Sequence, residues 1–187
     1  TAELQKTKEK LKQLSEEASS KSKIEASFTK AIRERNDALL TTYNDYKAET
    51  DRINQNQTEL RIEITFKGDR EGFKSQLKND FKGTGISDSK YQAISDAFTD
   101  YAAIIEDWII CDGNKLKSIV TSGEYVKLED KLRSQYEELL SRQVENKVDI
   151  YYHRKLLRQH SIGQRASALI LFILTQDDND IIFIDQP

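Results

Sequence analysis

The chain has 187 residues, of which 33% are charged and 37% hydrophobic, and its formal net charge is −3. This balance is typical of long solvated helices rather than of one large hydrophobic core. It also argues against binding a polyanion through bulk charge, which leaves only a local basic patch for that role. The single cysteine, Cys111, excludes an internal disulfide and a cysteine-based metal site, and it predicts a reducing, cytoplasmic compartment.

The ends of the chain carry no targeting or membrane signal. No stretch approaches the ~20 apolar residues that span a bilayer, and no signal peptide opens the chain. We therefore expect no membrane partner. The chain lacks methionine, begins within a helical pattern at Thr1 and stops at Pro187 directly after an apolar run. These features predict a fragment excised from a longer protein.

The first third of the chain has a seven-residue period. Residues 1–60 contain no glycine or proline, and every seventh residue from Leu4 is apolar or aromatic, with Glu25 as the exception. A period held this long predicts a supercoiled helix about 90 Å in length. The companion heptad positions are half polar, which favours an arm that bends or pairs loosely. We therefore predict an outgoing coiled-coil arm over residues 1–60.

The pattern then changes to an alternation with period two over residues 60–66, which predicts a strand. Four glycines between residues 68 and 85 surround a short predicted helix over residues 73–81. A longer helical face follows over residues 91–111. Together these elements predict a compact α/β insertion, residues 61–122, with its own core of phenylalanine, isoleucine and tryptophan.

The segment from Gly68 to Ser75 follows the predicted strand, as a phosphate-binding loop does. A phosphate loop requires G-x-x-x-x-G-K-[ST]. Here three residues separate the glycines, and Phe73 separates Gly72 from Lys74. We interpret the segment as an ordinary strand–turn–helix corner, so that the chain contains no Walker A motif.

A helical pattern returns after Gly123 and runs without glycine or proline to His160. It predicts a return coiled-coil arm, residues 123–160, antiparallel to the first. The two histidines, His153 and His160, are interpreted as exposed helix residues rather than as metal ligands.

Five cations cluster near the base of this predicted arm: Lys147, Arg154, Lys155, Arg158 and Arg165. Two interpretations stay open. The cations form a solvated helix face, or they contact the phosphates of nucleic acid, which makes DNA a candidate partner.

The last 28 residues, 160–187, place three features in a fixed order. A small-residue turn over residues 161–165 precedes an apolar helix pattern over residues 166–174. After a polar turn, the apolar residues 181–184 precede Asp185 and predict a buried strand. A serine and a glycine that open a helix leave backbone N–H groups for a phosphate. An aspartate at the carboxyl end of a strand can hold Mg²⁺.

The order S-I-G-Q, apolar helix and I-I-F-I-D-Q-P resembles the signature motif and Walker B strand of ABC-class ATPases, especially the SMC-like branch with long coiled coils. The pattern G-Q-R-x-x-A-L-I-x-F-I-L with I-D-Q-P is similar to bacterial SMC-like ATPases linked to PHP-type phosphoesterase domains. The resemblance implies a mainly α fold. This fold would be an antiparallel coiled-coil hairpin with a small α/β insertion at its tip and a partial ATPase head segment, residues 161–187.

The resemblance also implies roles for individual residues. Ser161 and Gly163 would contact the γ-phosphate of an ATP held by a second head, so that ATP joins two heads. Gln164 would be the helix-opening signature residue, with Arg165 beside it. Asp185 matches the Walker B acid, which organises Mg²⁺ and water at that phosphate.

Gln186 stands where this family normally has a catalytic glutamate, and an amide cannot act as a general base near neutral pH. Either an acid beyond Pro187 takes that role, or hydrolysis is slow and ATP binding itself is the signal. ATP and Mg²⁺ are expected in the full-length parent but not in the fragment, which would be inactive alone without a Walker A loop. The parent would act in DNA repair, chromosome handling or phage defence.

A second hypothesis is a coiled-coil oligomerisation or scaffold module with no nucleotide role. A Walker A motif upstream and acids downstream would favour the ATPase over the scaffold. Under either hypothesis we expect a homo-oligomer that forms through the arms, because a long, partly apolar helix seldom stays unpaired.

Overall fold

The computed structural model describes residues 2–55 and 59–174, and this part of the chain is mainly helical with one three-stranded antiparallel sheet. The mainly α prediction is therefore confirmed. The elements in chain order are α1 (Ala2–Gln55), β1 (Leu60–Thr65), α2 (Arg70–Asp80), α3 (Asp88–Ala97), α4 (Tyr101–Ile110), α5 (Asn114–Ile119), α6 (Ser122–Ser141), β2 (Lys147–Tyr152), β3 (Lys155–Leu156), a 3-10 helix (Leu157–Gln159) and α7 (Ile162–Leu174).

These elements form two compact units. The first unit contains Thr1–Thr41 and Lys67–Glu145, and the second contains Thr42–Phe66 and Asn146–Pro187. Helix α1 contributes residues to both units.

Helix α1 is one helix of 54 residues, about 80 Å long at 1.5 Å per residue. The helix predicted for the first arm is thus present as far as Gln55. Ion pairs one turn apart support its exposed surface, for example Lys30 with Glu34 at 3.6 Å. The absence of glycine and proline explains why the helix is not interrupted.

In the first unit, helices α2 to α6 enclose one hydrophobic core. The Tyr101 ring belongs to this core and lies edge-on to Phe73, with the ring centroids 5.2 Å apart. Tyr101 has no exposed surface, and its hydroxyl donates a hydrogen bond to Asp80. From helix α1, Phe28 packs against this core, and Ile32 is also buried.

A buried polar cluster joins α1 to the start of α4. The Lys67 ammonium donates to the Asp100 carboxylate and to Asn36 Oδ1, the latter at 2.7 Å. Asp100 is only 2% exposed, and it also caps α4 by accepting the Ala103 N–H at 2.9 Å. Arg35 adds a second cation 3.8 Å from the same carboxylate. A buried charge is tolerated only when it is paired and hydrogen-bonded, as it is here.

The predicted α/β content of residues 61–122 needs correction. The predicted strand is present as β1, but it pairs within the second unit, and the described chain from Arg70 to Ser141 contains helices only. The helical face predicted over residues 91–111 is divided into α3 and α4. The division falls where Phe98 leaves the helix and Asp100 caps the next one.

In the second unit, β1 pairs with β2 in an antiparallel register that sets Ile62 opposite Ile150. Helix α1 lies along the other edge of β1. The Asn54 side-chain amide both donates to Ile62 O and accepts from Ile62 N–H, each at 2.8 Å. The Tyr43 hydroxyl donates to Ile64 O at 3.2 Å. These bonds occupy backbone groups that an uncovered edge strand would offer to another chain.

The predicted helical return arm is wrong beyond Ser141. Helix α6 ends there, and residues 147–152 form strand β2 instead. The physical reason is that Val148 and Ile150 alternate with polar residues and pair with β1, so that a non-local ladder overrides a helical spacing. An antiparallel coiled-coil hairpin therefore does not form from residues 142–160.

Candidate functional site

Strands β2 and β3 are joined by a two-residue turn, His153–Arg154. Both residues have positive φ, 47° and 64°, which is the type I′ geometry whose twist matches that of the strands. This turn usually carries asparagine or glycine, so an arginine here holds an uncommon conformation. The His153 N–H donates to Glu59 O at 2.9 Å and fixes the turn. The hairpin thus presents two exposed basic side chains, Arg154 and Lys155, at its tip.

His160 connects the end of the sheet to the start of α7. Its Nε2 lies 3.0 Å from Tyr152 O, and the centroids of the His160 and Tyr152 rings are 5.5 Å apart. Its Nδ1 lies 3.3 Å from Gln164 Oε1. The hairpin therefore sets the position of the α7 N-terminus. The prediction that His160 is an exposed helix residue does not include this link.

Ser161 and Gln164 form a reciprocal cap at the start of α7. The Gln164 N–H donates to Ser161 Oγ at 3.3 Å, and the Ser161 N–H donates to Gln164 Oε1 at 3.2 Å. This is a capping box of the S-x-x-Q type. It starts the helix at Ile162, within the small-residue turn that was predicted to open it.

The first turn of α7 is open to solvent. Residues 161–167 are all exposed, and a Cβ added to Gly163 would meet no atom within 4 Å. Within the described part of the chain, the N–H groups of Ile162 and Gly163 have no hydrogen-bond acceptor. A helix end with free N–H groups carries a partial positive charge and can bind an anion.

The structure brings four of the predicted site residues together in that turn: Ser161, Gly163, Gln164 and Arg165. The remaining two, Asp185 and Gln186, lie outside the described residues, so the predicted Walker B strand and Mg²⁺ site stay predictions. Over residues 2–55 and 59–174, no group of three or more His, Cys, Asp or Glu side chains is arranged to hold a metal ion.

Exposed cations lie on both sides of this turn along the chain. Residues 150–174 contain no aspartate or glutamate. The lysine and arginine side chains in this stretch are exposed, and none of them forms an ion pair with another residue that the structure describes, whereas His153 lies 3.9 Å from the Glu59 carboxylate. We call these four residues the hairpin basic surface: Arg154, Lys155, Arg158 and Arg165. The fifth predicted member, Lys147, differs because it pairs with Asp149 at 2.8 Å.

The start of α2 offers no comparable site. The Asp69 carboxylate caps this helix by accepting the Gly72 N–H at 2.9 Å. A Cβ at Gly72 would lie 2.0 Å from that carboxylate. A protein anion thus occupies the place that a phosphate would take, in agreement with the interpretation of this segment as a strand–turn–helix corner.

The hairpin was the part of the site that sequence reasoning missed. The alternation of Val148 and Ile150 with polar residues, followed by two tyrosines, was the available signal. The same residues also fit a helical spacing, so the alternation alone does not distinguish a strand from a helix here.

No family model, curated protein or solved structure matches the chain. No helix in the described ranges combines the length and the apolar character needed to cross a bilayer. The features of the molecule that bear on its function are therefore the α7 turn and the hairpin.

Proposed function

We propose that this chain carries the signature-motif half of a composite ATP site in a longer, SMC-like ABC-class ATPase. The observation that supports the proposal is the exposed, capped N-terminus of α7, where the Ile162 and Gly163 N–H groups have no acceptor among the described residues. Such donors suit phosphate oxygens. An exposed turn also fits half of a site that a second head completes.

The hydrogen bonds of the turn suggest a role for each residue. Ser161 Oγ accepts the Gln164 N–H, so its own proton is available to a phosphate oxygen. Gly163 can donate its backbone N–H, because no side chain obstructs the approach. Gln164 holds the turn through its reciprocal bond, and the exposed Arg165 adds positive charge at the site.

The remaining parts of the proposal concern the longer protein. Asp185 would hold Mg²⁺ at the γ-phosphate of ATP, and Gln186 would occupy the position of the usual catalytic glutamate. The hairpin basic surface would contact the phosphates of DNA. The process served would be DNA repair, chromosome handling or phage defence.

The test is ATP hydrolysis and ATP binding by the longer protein with Ser161→Arg. A bulky cation in the turn should block closure between heads, so hydrolysis should fall at least tenfold while ATP binding is retained. Ser134→Arg is the matched control, because Ser134 is an exposed serine on α6 in the other unit. Unchanged hydrolysis in Ser161→Arg would contradict the proposal.

A coiled-coil scaffold without a nucleotide role is the second candidate function. The observation that favours it lies on α1, where Leu11 is 70% exposed and Ile24 69%. Exposed apolar residues on a long helix are typical of a pairing surface. A longer wild-type protein that binds no ATP would favour the scaffold over the ATPase.

A further inference from the structure

Helix α1 carries one apolar face that is covered over part of its length only. Just C-terminal to Glu25 this face is covered, since Phe28 packs against the core of the first unit and Ile32 is only 7% exposed. Towards the N-terminus the same heptad positions continue as Leu11 and Leu14, which are 70% and 55% exposed. Every residue from 5 to 24 is exposed. We call the uncovered heptad positions the α1 seam: Thr7, Leu11, Leu14, Ala18 and Lys21.

The seam is continuous with an interface that already exists within the first unit. A helix that packs on another through positions spaced three and four residues apart extends the same packing wherever those positions stay apolar. Leu11 and Leu14 keep this spacing relative to Phe28 and Ile32. The α1 seam is therefore suited to a second helix.

We propose that a second copy of this chain covers the α1 seam in an antiparallel arrangement. Leu11 of each copy would face Leu14 of the other, and Thr7 would face Ala18. The contact is self-complementary about a two-fold axis, which is the usual symmetry of a homodimer. This pairing does not depend on whether the α7 turn serves a nucleotide.

The charges beside the seam select the antiparallel orientation. In that register Lys10 of each copy lies next to Glu17 of the other, which gives two pairs of opposite charge across the interface. In a parallel pair the two copies of Lys21 would face each other inside the seam. Repulsion between buried like charges disfavours that alternative.

A groove beside the seam has a matching charge. Its volume is about 670 Å³, and its charged lining residues are three carboxylates, Glu16, Glu17 and Glu25, and one cation, Lys21. The antiparallel register brings the N-terminal part of the second copy, with Lys6 and Lys8, alongside this acidic groove. The apolar α1 seam and the acidic groove beside it are thus both complementary to a second copy of the chain.

The first test is the mass of the chain in solution, measured by light scattering at about 100 µM, where a dimer of micromolar affinity is populated. The wild type should move from 21.6 kDa towards twice that mass. Leu11→Ala with Leu14→Ala should weaken the dimer at least tenfold without unfolding α1, because alanine favours helix. Leu40→Ala is the control, since Leu40 is 41% exposed on α1 but lies off the seam. A monomeric wild type would overturn the proposal.

The second test addresses orientation. Lys10→Glu and Glu17→Lys should each weaken the dimer about two- to fivefold, and the double reversal should restore it. Oxidation of a mixture of Thr7→Cys and Ala18→Cys chains, both with Cys111→Ser, should give crosslinks that neither variant gives alone. Crosslinking of Thr7→Cys by itself, or a dimer insensitive to either charge reversal, would contradict the antiparallel pairing.

Discussion

The side-chain amide of Asn54 forms two hydrogen bonds with the backbone of Ile62, both 2.8 Å long. It takes the place of one residue of a neighbouring strand, using a side chain that projects from a helix. The outer edge of β1 is thereby closed at Ile62, because both backbone groups of this residue are occupied.

Replacing this amide should open the edge. We expect Asn54→Leu to lower the free energy of unfolding by about 1–3 kcal/mol, because the Ile62 N–H and C=O lose their partners. We also expect concentration-dependent association through β1. Urea denaturation and light scattering measure the two effects. Gln55→Leu adds the same side chain at the next, exposed position and should cause neither.

The buried cluster around Asp100 should be a major source of stability in the first unit. Asp100→Ala leaves the Lys67 ammonium buried without its carboxylate and removes the cap of α4, so we expect a loss of about 3–5 kcal/mol. Asp96→Ala, at an exposed position nearby, should change stability by less than about 0.5 kcal/mol. Thermal unfolding followed by circular dichroism compares them. Equal losses of stability in Asp100→Ala and Asp96→Ala would show that the cluster is not stabilising.

Acid should destabilise the first unit through the cap of α6. Hydrogen bonds from the Lys90 ammonium and then from the Thr121 N–H hold the pKa of Glu124 at about 2, below its ordinary value of 4.5. A carboxyl group whose pKa is depressed by folding stabilises the protein above its unfolded pKa, and that contribution is lost as the pH falls through the folded pKa.

The expected window therefore lies between about pH 4.5 and pH 2. An NMR titration of the Glu124 carboxyl carbon should show a midpoint near the lower end of this window. Glu124→Gln should be less stable at neutral pH and should lose part of the acid dependence of unfolding. A midpoint at the ordinary value would contradict the role assigned to Lys90.

The hairpin basic surface should bind duplex DNA in a salt-dependent manner. Each phosphate contact contributes about 0.9 to the slope of log affinity against log salt. Arg154→Gln with Lys155→Gln should therefore reduce the slope by up to about 2. Lys147→Gln is the control, because Lys147 already pairs with Asp149. Fluorescence anisotropy at several salt concentrations measures the slopes, and equal effects of all these changes would rule out a dedicated surface.

Local sequence patterns predicted the elements that depend on local interactions. The uninterrupted helix of residues 2–55 follows from the absence of glycine and proline, and β1 follows from its alternation. The turn at Ser161 was predicted to open a helix because serine and glycine favour a helix start, and the capping box has that form.

The parts that sequence reasoning missed depend on contacts between distant residues. Strand β2 is a strand because it pairs with β1, and Ile62 and Ile150 are 88 positions apart. No local sequence pattern is long enough to contain both Ile62 and Ile150. The link from His160 to Tyr152 was missed for the same reason, since it exists only when the hairpin forms.

The register of β1 and β2 has a consequence for how the chain folds. Thr65 is paired with Lys147, so the two strands meet at the two ends of the whole helical segment between them. Closing a flexible loop of that length costs conformational entropy before any strand contact forms. A helical segment that has already folded brings its ends together and removes most of this cost. The helices should therefore fold first, and the sheet that positions the α7 turn should form last.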